Sequence, residues 1–274
     1  AEALYRDGRA TEALTVLRDH AERSPGVTDP YYVNLLQYWR AEVARATDRP
    51  DEALRIAQTI SVEDLPYDVR MMTHLLRGAL FAGTRDWDRA EAAFREVVAV
   101  AADEQDAATY VARARVGLAR VLRASERREA AVAVLQEVVD MPEAVPSEKI
   151  RAQLLQVTIL VDMGQVDRAL AVYRRIVPMQ PRIADSDWFR CTADLFSGLA
   201  RVGMNDEALA LATALRTLAP SSETQLKAEL RIVQVLLATG KRQEAGEVLG
   251  QFTSEKIPEE HAELCTQFAE LRVK

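Results

Sequence analysis

The chain has 274 residues, 49 % of them hydrophobic and 28 % charged, with a formal charge of −7 and a pI of about 5.2. That balance supports a folded core and excludes a disordered chain. The acidic total excludes broad attraction to nucleic acid or to an anionic membrane, and no apolar run approaches the ~20 residues that span a bilayer.

The chain opens without Met, on Ala1-Glu2-Ala3-Leu4-Tyr5, already helical in pattern, and reads as a segment of a longer protein. No charged stretch followed by an apolar one marks a leader. The predicted elements run in pairs. A remnant near 1–7 precedes a helix over 10–23. Asp29-Pro30 caps a helix over 30–46, followed by one over 50–59. Further pairs fall at 66–83 and 87–101, 105–124 and 127–140, 147–163 and 166–178, and 185–202 and 205–218. Ser222-x-x-Gln225 reads as a capping box opening the pair 222–239 and 242–252. Pro258 then opens a last helix to 272, with Leu264, Phe268 and Leu271 on one face. No segment alternates with the period of a strand.

The pairs repeat. Aligned on a small residue early in each second helix, the anchors are Ala13, Ala53, Ala90, Ala130, Ala169, Ala208 and Ala245, spaced by 40, 37, 40, 39, 39 and 37 residues. Five residues before them stand Gly8, Asp48, Arg85, Ser125, Gly164, Gly203 and Gly240. Glycine ends a helix in the left-handed region at no steric cost. Four residues after the anchors, on the same face, come Leu17, Ala57, Phe94, Val134, Tyr173, Ala212 and Leu249. A small residue lets the second helix approach the first, and the larger one a turn later fills the gap. Proline closes several units, as Pro25, Pro142, Pro181 and Pro220. The period predicts a stack of helical hairpins in one domain, with units 1–29, 30–65, 66–103, 104–145, 146–184, 185–221 and 222–257 and a capping helix over 258–272.

On these residues the chain resembles the tetratricopeptide repeat (TPR) family. The resemblance rests on the Gly-x-x-x-x-Ala turns, on the aromatics Trp87, Phe94 and Tyr173, on Gly78 inside a first helix, and on the closing prolines. It implies an all-α, right-handed α-solenoid of about seven antiparallel helix-turn-helix units, with no cofactor and no chemistry of its own. The units run longer than the family's usual 34 residues or so, with the additions between each second helix and the next unit.

Few residues offer catalysis. His20, His74 and His261 are the only histidines, and Cys191 and Cys265 stand far apart. His261 and Cys265 have the i, i+4 spacing of two metal ligands, but no third and fourth ligand accompanies them. No phosphate-binding loop or nucleophile motif is present, so no catalytic residue, metal or cofactor is expected.

The resemblance instead directs attention to the concave face lined by first helices. Arg115, Arg123, Arg151, Arg190, Arg201, Lys227 and Arg231 are expected there, with Tyr38 among them. Arginine binds carboxylates in a bidentate manner, so the expected partner is another protein, through an acidic or extended peptide segment. Neither nucleic acid nor direct membrane insertion is expected. The Lys/Asn clamp by which the family holds chaperone C-termini is not matched. High Ala, Arg and Val content points to a bacterium, with the compartment, bacterial cytoplasm or periplasm, left open. The leading expectation is a non-catalytic interaction scaffold in a bacterial multiprotein assembly of the envelope or exopolysaccharide-export type. The alternative is the ligand-binding sensor arm of a larger signalling or transcription regulator.

Overall fold

A computed structural model describes residues 9–23, 29–63, 65–100, 107–181 and 185–251, together with residue 4 and residues 266, 267 and 269–271. The remnant at 1–7 and the capping helix at 258–272 lie outside them, apart from those isolated positions, as do His261 and Cys265. The described residues are helical with no strand. The helices are α1 Ala10–Arg23, α2 Pro30–Ala46, α3 Pro50–Thr59, α4 Tyr67–Gly83, α5 Trp87–Val100, α6 Ala108–Ala124 and α7 Arg128–Asp140. They continue as α8 Pro146–Asp162, α9 Val166–Ile176, α10 Ser186–Arg201, α11 Asn205–Ala210, α12 Ala212–Leu218, α13 Ser222–Ala238 and α14 Arg242–Gln251. Most of them pack chiefly on their neighbours in sequence. The chain divides into two compact units, residues 1–149 and 150–274.

Six turns within hairpins share one geometry. Asp48, Arg85, Glu126, Gly164, Gly203 and Gly240 take φ of 56°, 61°, 64°, 72°, 82° and 76°. In each turn the amide of that residue donates to the carbonyl three residues back at 3.0–3.3 Å. The following amide donates five residues back at 2.8–2.9 Å. This is the Schellman closure, which satisfies carbonyls that a helix end leaves without partners. Five residues beyond the left-handed position, an alanine amide closes the first turn of the next helix, as in Ala53 to Arg49 at 3.0 Å. Acids in that turn, such as Asp51 and Glu52 of α3, favour the positive helix end.

This geometry corrects the fourth unit. Helix α6 runs to Ala124 and Glu126, not Ser125, takes the left-handed conformation. The buried alanine is therefore Ala131, at 0 % exposure, while Ala130 faces solvent. The residue a turn later is Leu135, at 0 % exposure, in place of half-buried Val134. Counted this way, Ala13, Ala53, Ala90, Ala131, Ala169, Ala208 and Ala245 are all fully buried. A Cβ is the largest group that fits between helices packed this closely.

Two other local expectations change. The cap of α13 is Ser221, one residue earlier than expected, in extended conformation at φ −149°. Its hydroxyl accepts from the Thr224 amide at 3.3 Å, and its own amide donates to the Thr224 hydroxyl at 3.0 Å. The single helix expected over 205–218 is broken at Leu211, whose amide bonds three residues back to Ala208 at 2.9 Å. At α2 the Asp29 carboxylate accepts from the Tyr31 amide at 3.0 Å and Pro30 takes the first helical position, as the sequence implies.

Candidate interaction face

Counting back from the left-handed residue of each turn gives every first helix a common ruler. Thirteen residues back stand Leu35, Met72 and Arg113 in unit 1, and Arg151, Arg190 and Lys227 in unit 2. Leu35 and Met72 are half-buried, and the four cations are exposed. Ten residues back the floor is apolar: Tyr38, Leu75 and Val116 in unit 1, and Leu154, Ala193 and Leu230 in unit 2. The last three are 6 %, 4 % and 7 % exposed. Apolar residues one turn along hold each helix to its neighbours, which fixes the cations on the outward side.

The expected site residues fall into separate places. Arg151, Arg190 and Lys227 form the unit 2 row. Arg190 pairs with Asp187 at 2.7 Å, and Lys227 pairs with Glu223. Arg231 is exposed one turn beyond Lys227. Arg201 is exposed near the end of α10, where its guanidinium donates to the Val161 carbonyl of α8 at 3.4 Å. Arg123 is half-buried three residues before its turn. Two assignments are corrected. Arg115 points to its own hairpin partner, pairing with Glu137 of α7 at 3.0 Å, so it does not share the face. Tyr38 is 5 % exposed, its hydroxyl donates to Glu42 at 3.3 Å, and its ring stands edge-on to Trp39 at 5.1 Å. It belongs to the core.

Sequence reasoning missed Arg113, which holds the row position in α6 and pairs with buried Glu148 at 3.2 Å. The signal was present. Arg113, Arg151, Arg190 and Lys227 repeat at 38, 39 and 37 residues, the same intervals that separate Ala131, Ala169, Ala208 and Ala245. The one-residue slip at Ala130 hid the match. It also missed the buried acids. Glu91 of α5 is held by Arg127 and by Arg95, the latter at 2.5 Å. Glu229 of α13 takes both arms of Arg216 of α12, at 2.6 and 2.9 Å. Each such carboxylate is taken out of water only because a guanidinium meets it.

Two titratable groups among the described residues, His74 and Cys191, are pushed toward their neutral forms. His74 on α4 is half-buried, and burial together with Arg77 and Arg70 pushes its imidazolium down from the usual range, against a smaller opposing pull from Glu96. Cys191 is buried and its thiol is pushed up by burial, which removes the reactive thiolate. Arg77 spends its guanidinium on the carbonyls of Ala57 and Ile60 at the end of α3, at 3.0 and 2.6 Å. An open cleft of about 330 Å³ between α2 and α3 is lined by Gln37, Arg40, Glu52, Arg55, Ile56 and Thr59, with Glu52 already paired to Arg49 at 2.8 Å. Among the described residues no three His, Cys, Asp or Glu side chains converge on a metal position. No described helix is long and apolar enough to cross a membrane.

Stacked helical hairpins closed by one repeated turn define the class: an all-α helical-repeat protein. The comparisons specify it. Residues 156–259 match the family model of the tetratrico peptide repeat. A tetratricopeptide repeat protein from Parabacteroides merdae matches in structure with a TM-score of 0.61 at 13 % identity, covering 98 % of this chain and 95 % of that one. TPR-like repeats of a Podosopora anserina protein assigned as a kinesin light chain match at a TM-score of 0.44 and 17 % identity, over 86 % of this chain and 93 % of that one. No curated protein matches the sequence. The chain has a TPR-like helical-repeat fold, and residues 156–259 resemble the tetratricopeptide repeat family.

Proposed function

We propose that this chain is a non-catalytic scaffold that binds an acidic segment of another protein on the first-helix face of unit 2. The TPR fold is generally a protein-binding fold, which supports the scaffold reading. The observation that carries the acidic partner is the exposed row Arg151, Arg190 and Lys227 over a buried apolar floor. The chain as a whole carries −7, so attraction of an acidic peptide has to come from a local row and not from net charge. The bonds to Asp187 and Glu223 are exposed pairs within one helix, worth ~0.2–0.5 kcal/mol each. At Arg190 and Lys227 an incoming carboxylate exchanges with these pairs at little cost.

Titration of the full chain with a fluorescent oligoglutamate peptide at low ionic strength tests this reading. Saturable binding is expected, weakened by salt because the contacts are exposed, and lost in the double variant Arg151→Glu, Arg190→Glu. Absence of binding, or equal affinity in the variant, would refute the assignment.

A further inference from the structure

The row in unit 2 crosses adjacent helices. Val161 of α8 lies against Gly198 of α10, where a Cβ on the glycine would stand 2.9 Å from Val161 Cγ1, and Arg201 reaches the Val161 carbonyl. Val161 stands three residues before its turn glycine, and Gly198 and Arg201 stand five and two before theirs. The two helices therefore sit side by side at matching height, within about 3 Å of axial rise. Helix α13 packs on α10 in the next place. Arg151 and Arg190, at equal distance from their turns, are therefore neighbours on adjacent helices, and Lys227 holds the same place relative to its turn on α13. Packed helices lie about 8–10 Å apart, which sets the step between successive cations.

An extended polyproline II chain has three residues per turn and rises ~3.1 Å per residue, so residues i, i+3 and i+6 share a face at about 9 Å intervals. That repeat matches the step of the cations. A β-strand does not match, because its side chains alternate and i and i+3 point to opposite faces. A helical ligand docks by burying an apolar stripe in a groove. Here Leu154, Ala193 and Leu230 are already 93 % or more covered and offer no such groove. Building on the acidic-partner reading above, we infer that the ligand is a polyproline II segment with a carboxylate at every third residue, each meeting one cation of the row. The segment crosses the three helices at right angles to their axes, and its backbone passes over the apolar floor.

The test uses the full chain and synthetic peptides of equal charge, compared by fluorescence anisotropy at low ionic strength. One is Asp-Pro-Ala repeated three times. A second has its three Asp adjacent, and a third has them at alternate residues. A fourth, longer and Ala-rich, carries three acids seven residues apart along a helix. The three-residue spacing is expected to bind about tenfold tighter than the others, the sum of small exposed contacts made together. Arg190→Ala should erase that preference, because it removes the middle position, while Arg174→Ala on the exposed side of α9 should leave it intact. Circular dichroism confirms that both variants fold. Equal affinity for all four peptides would overturn the spacing inference and leave the acidic-partner reading standing. Preference for the helical peptide would overturn it in favour of a helix. Failure of every peptide to bind would sink both readings.

Discussion

The same slot is filled by shape in unit 1 and by polarity in unit 2. Four residues after its buried alanine, unit 1 places Phe94 and unit 2 places Tyr173, which are 5 % and 1 % exposed. Phe94 is held between two glycines. A Cβ on Gly78 of α4 would stand 2.7 Å from the ring, and one on Gly117 of α6 would stand 2.5 Å away. Tyr173 has no such clasp. Its ring lies edge-on to Trp188 at 6.2 Å, and its hydroxyl meets the buried Thr192 hydroxyl at 2.8 Å and the Gln180 side chain at 3.3 Å. The repeat accepts a large ring behind the small anchor, although Ala57, Leu135, Ala212 and Leu249 fill the same slot in other units. It leaves open whether the ring is located by close approach or by a hydrogen bond, and the two solutions fail under different insults.

The largest separation comes from removing the ring. Phe94→Ala should cost about 3–5 kcal/mol, since the flanking glycines carry no side chain that could fill the void. Chemical denaturation with an unchanged m-value reads the loss. Raising pH attacks the other solution. Burial pushes the Tyr173 phenol up to about 12, opposed by its bond to Thr192 and assisted by Cys191. The folded pKa is above the unfolded value of about 10, so the contribution is complete below pH 10. It is lost as pH rises toward 12, by up to roughly 3 kcal/mol. Burial of the Cys191 thiol acts with the same sign. The readout is therefore the difference between wild type and Tyr173→Phe, which should lose less stability from pH 9 to 11.5. Parallel alkaline curves would show that the phenol does not carry the effect.

The clasp itself can be overfilled. Gly117→Ala puts a methyl group into the Phe94 ring and should cost about 1–3 kcal/mol. The double variant Gly117→Ala, Phe94→Leu should recover part of that loss, because the smaller side chain vacates the contested space. Additive losses in thermal unfolding would show that the ring and the glycine do not contest that space.

Much of this architecture was legible in the sequence because helical hairpins declare themselves through period and punctuation. The 3.6-residue pattern, prolines at helix starts, glycines at Gly164, Gly203 and Gly240 and the spacing that placed Asp48 and Arg85 located the helices and five of the six turns. The turn of the fourth unit was misplaced because Ala130 and Ala131 are both small, and size alone cannot choose between neighbours. The choice is made by Leu135 and Val138, which share the buried face of Ala131. The face was legible in outline, through Arg151, Arg190 and Lys227. Its register was not, and so Arg115 stood where Arg113 belongs. Tyr38 was misjudged because a tyrosine reads the same on a groove wall and in a core. Only the packing against α3 and α4 decides, with Ala53, Ala57 and Leu76 in the same buried cluster.

The smallest effects lie in the turns, where the two units again differ. Asp48, Arg85 and Glu126 of unit 1 hold the left-handed conformation with side chains, while Gly164, Gly203 and Gly240 hold it in unit 2. A side chain there costs roughly 1–2 kcal/mol, because its Cβ crowds the following carbonyl. Glycine avoids that crowding but adds freedom to the unfolded chain. Glu126→Gly should therefore stabilise by about 0.5–1 kcal/mol net, after the exposed pair with Arg128 is lost. Gly164→Ala should destabilise by a similar amount, although open space surrounds its would-be Cβ. The sign is the critical reading. Destabilisation by Glu126→Gly would mean that the turn is held by its side-chain contacts, and that backbone strain is not what distinguishes the turns of the two units.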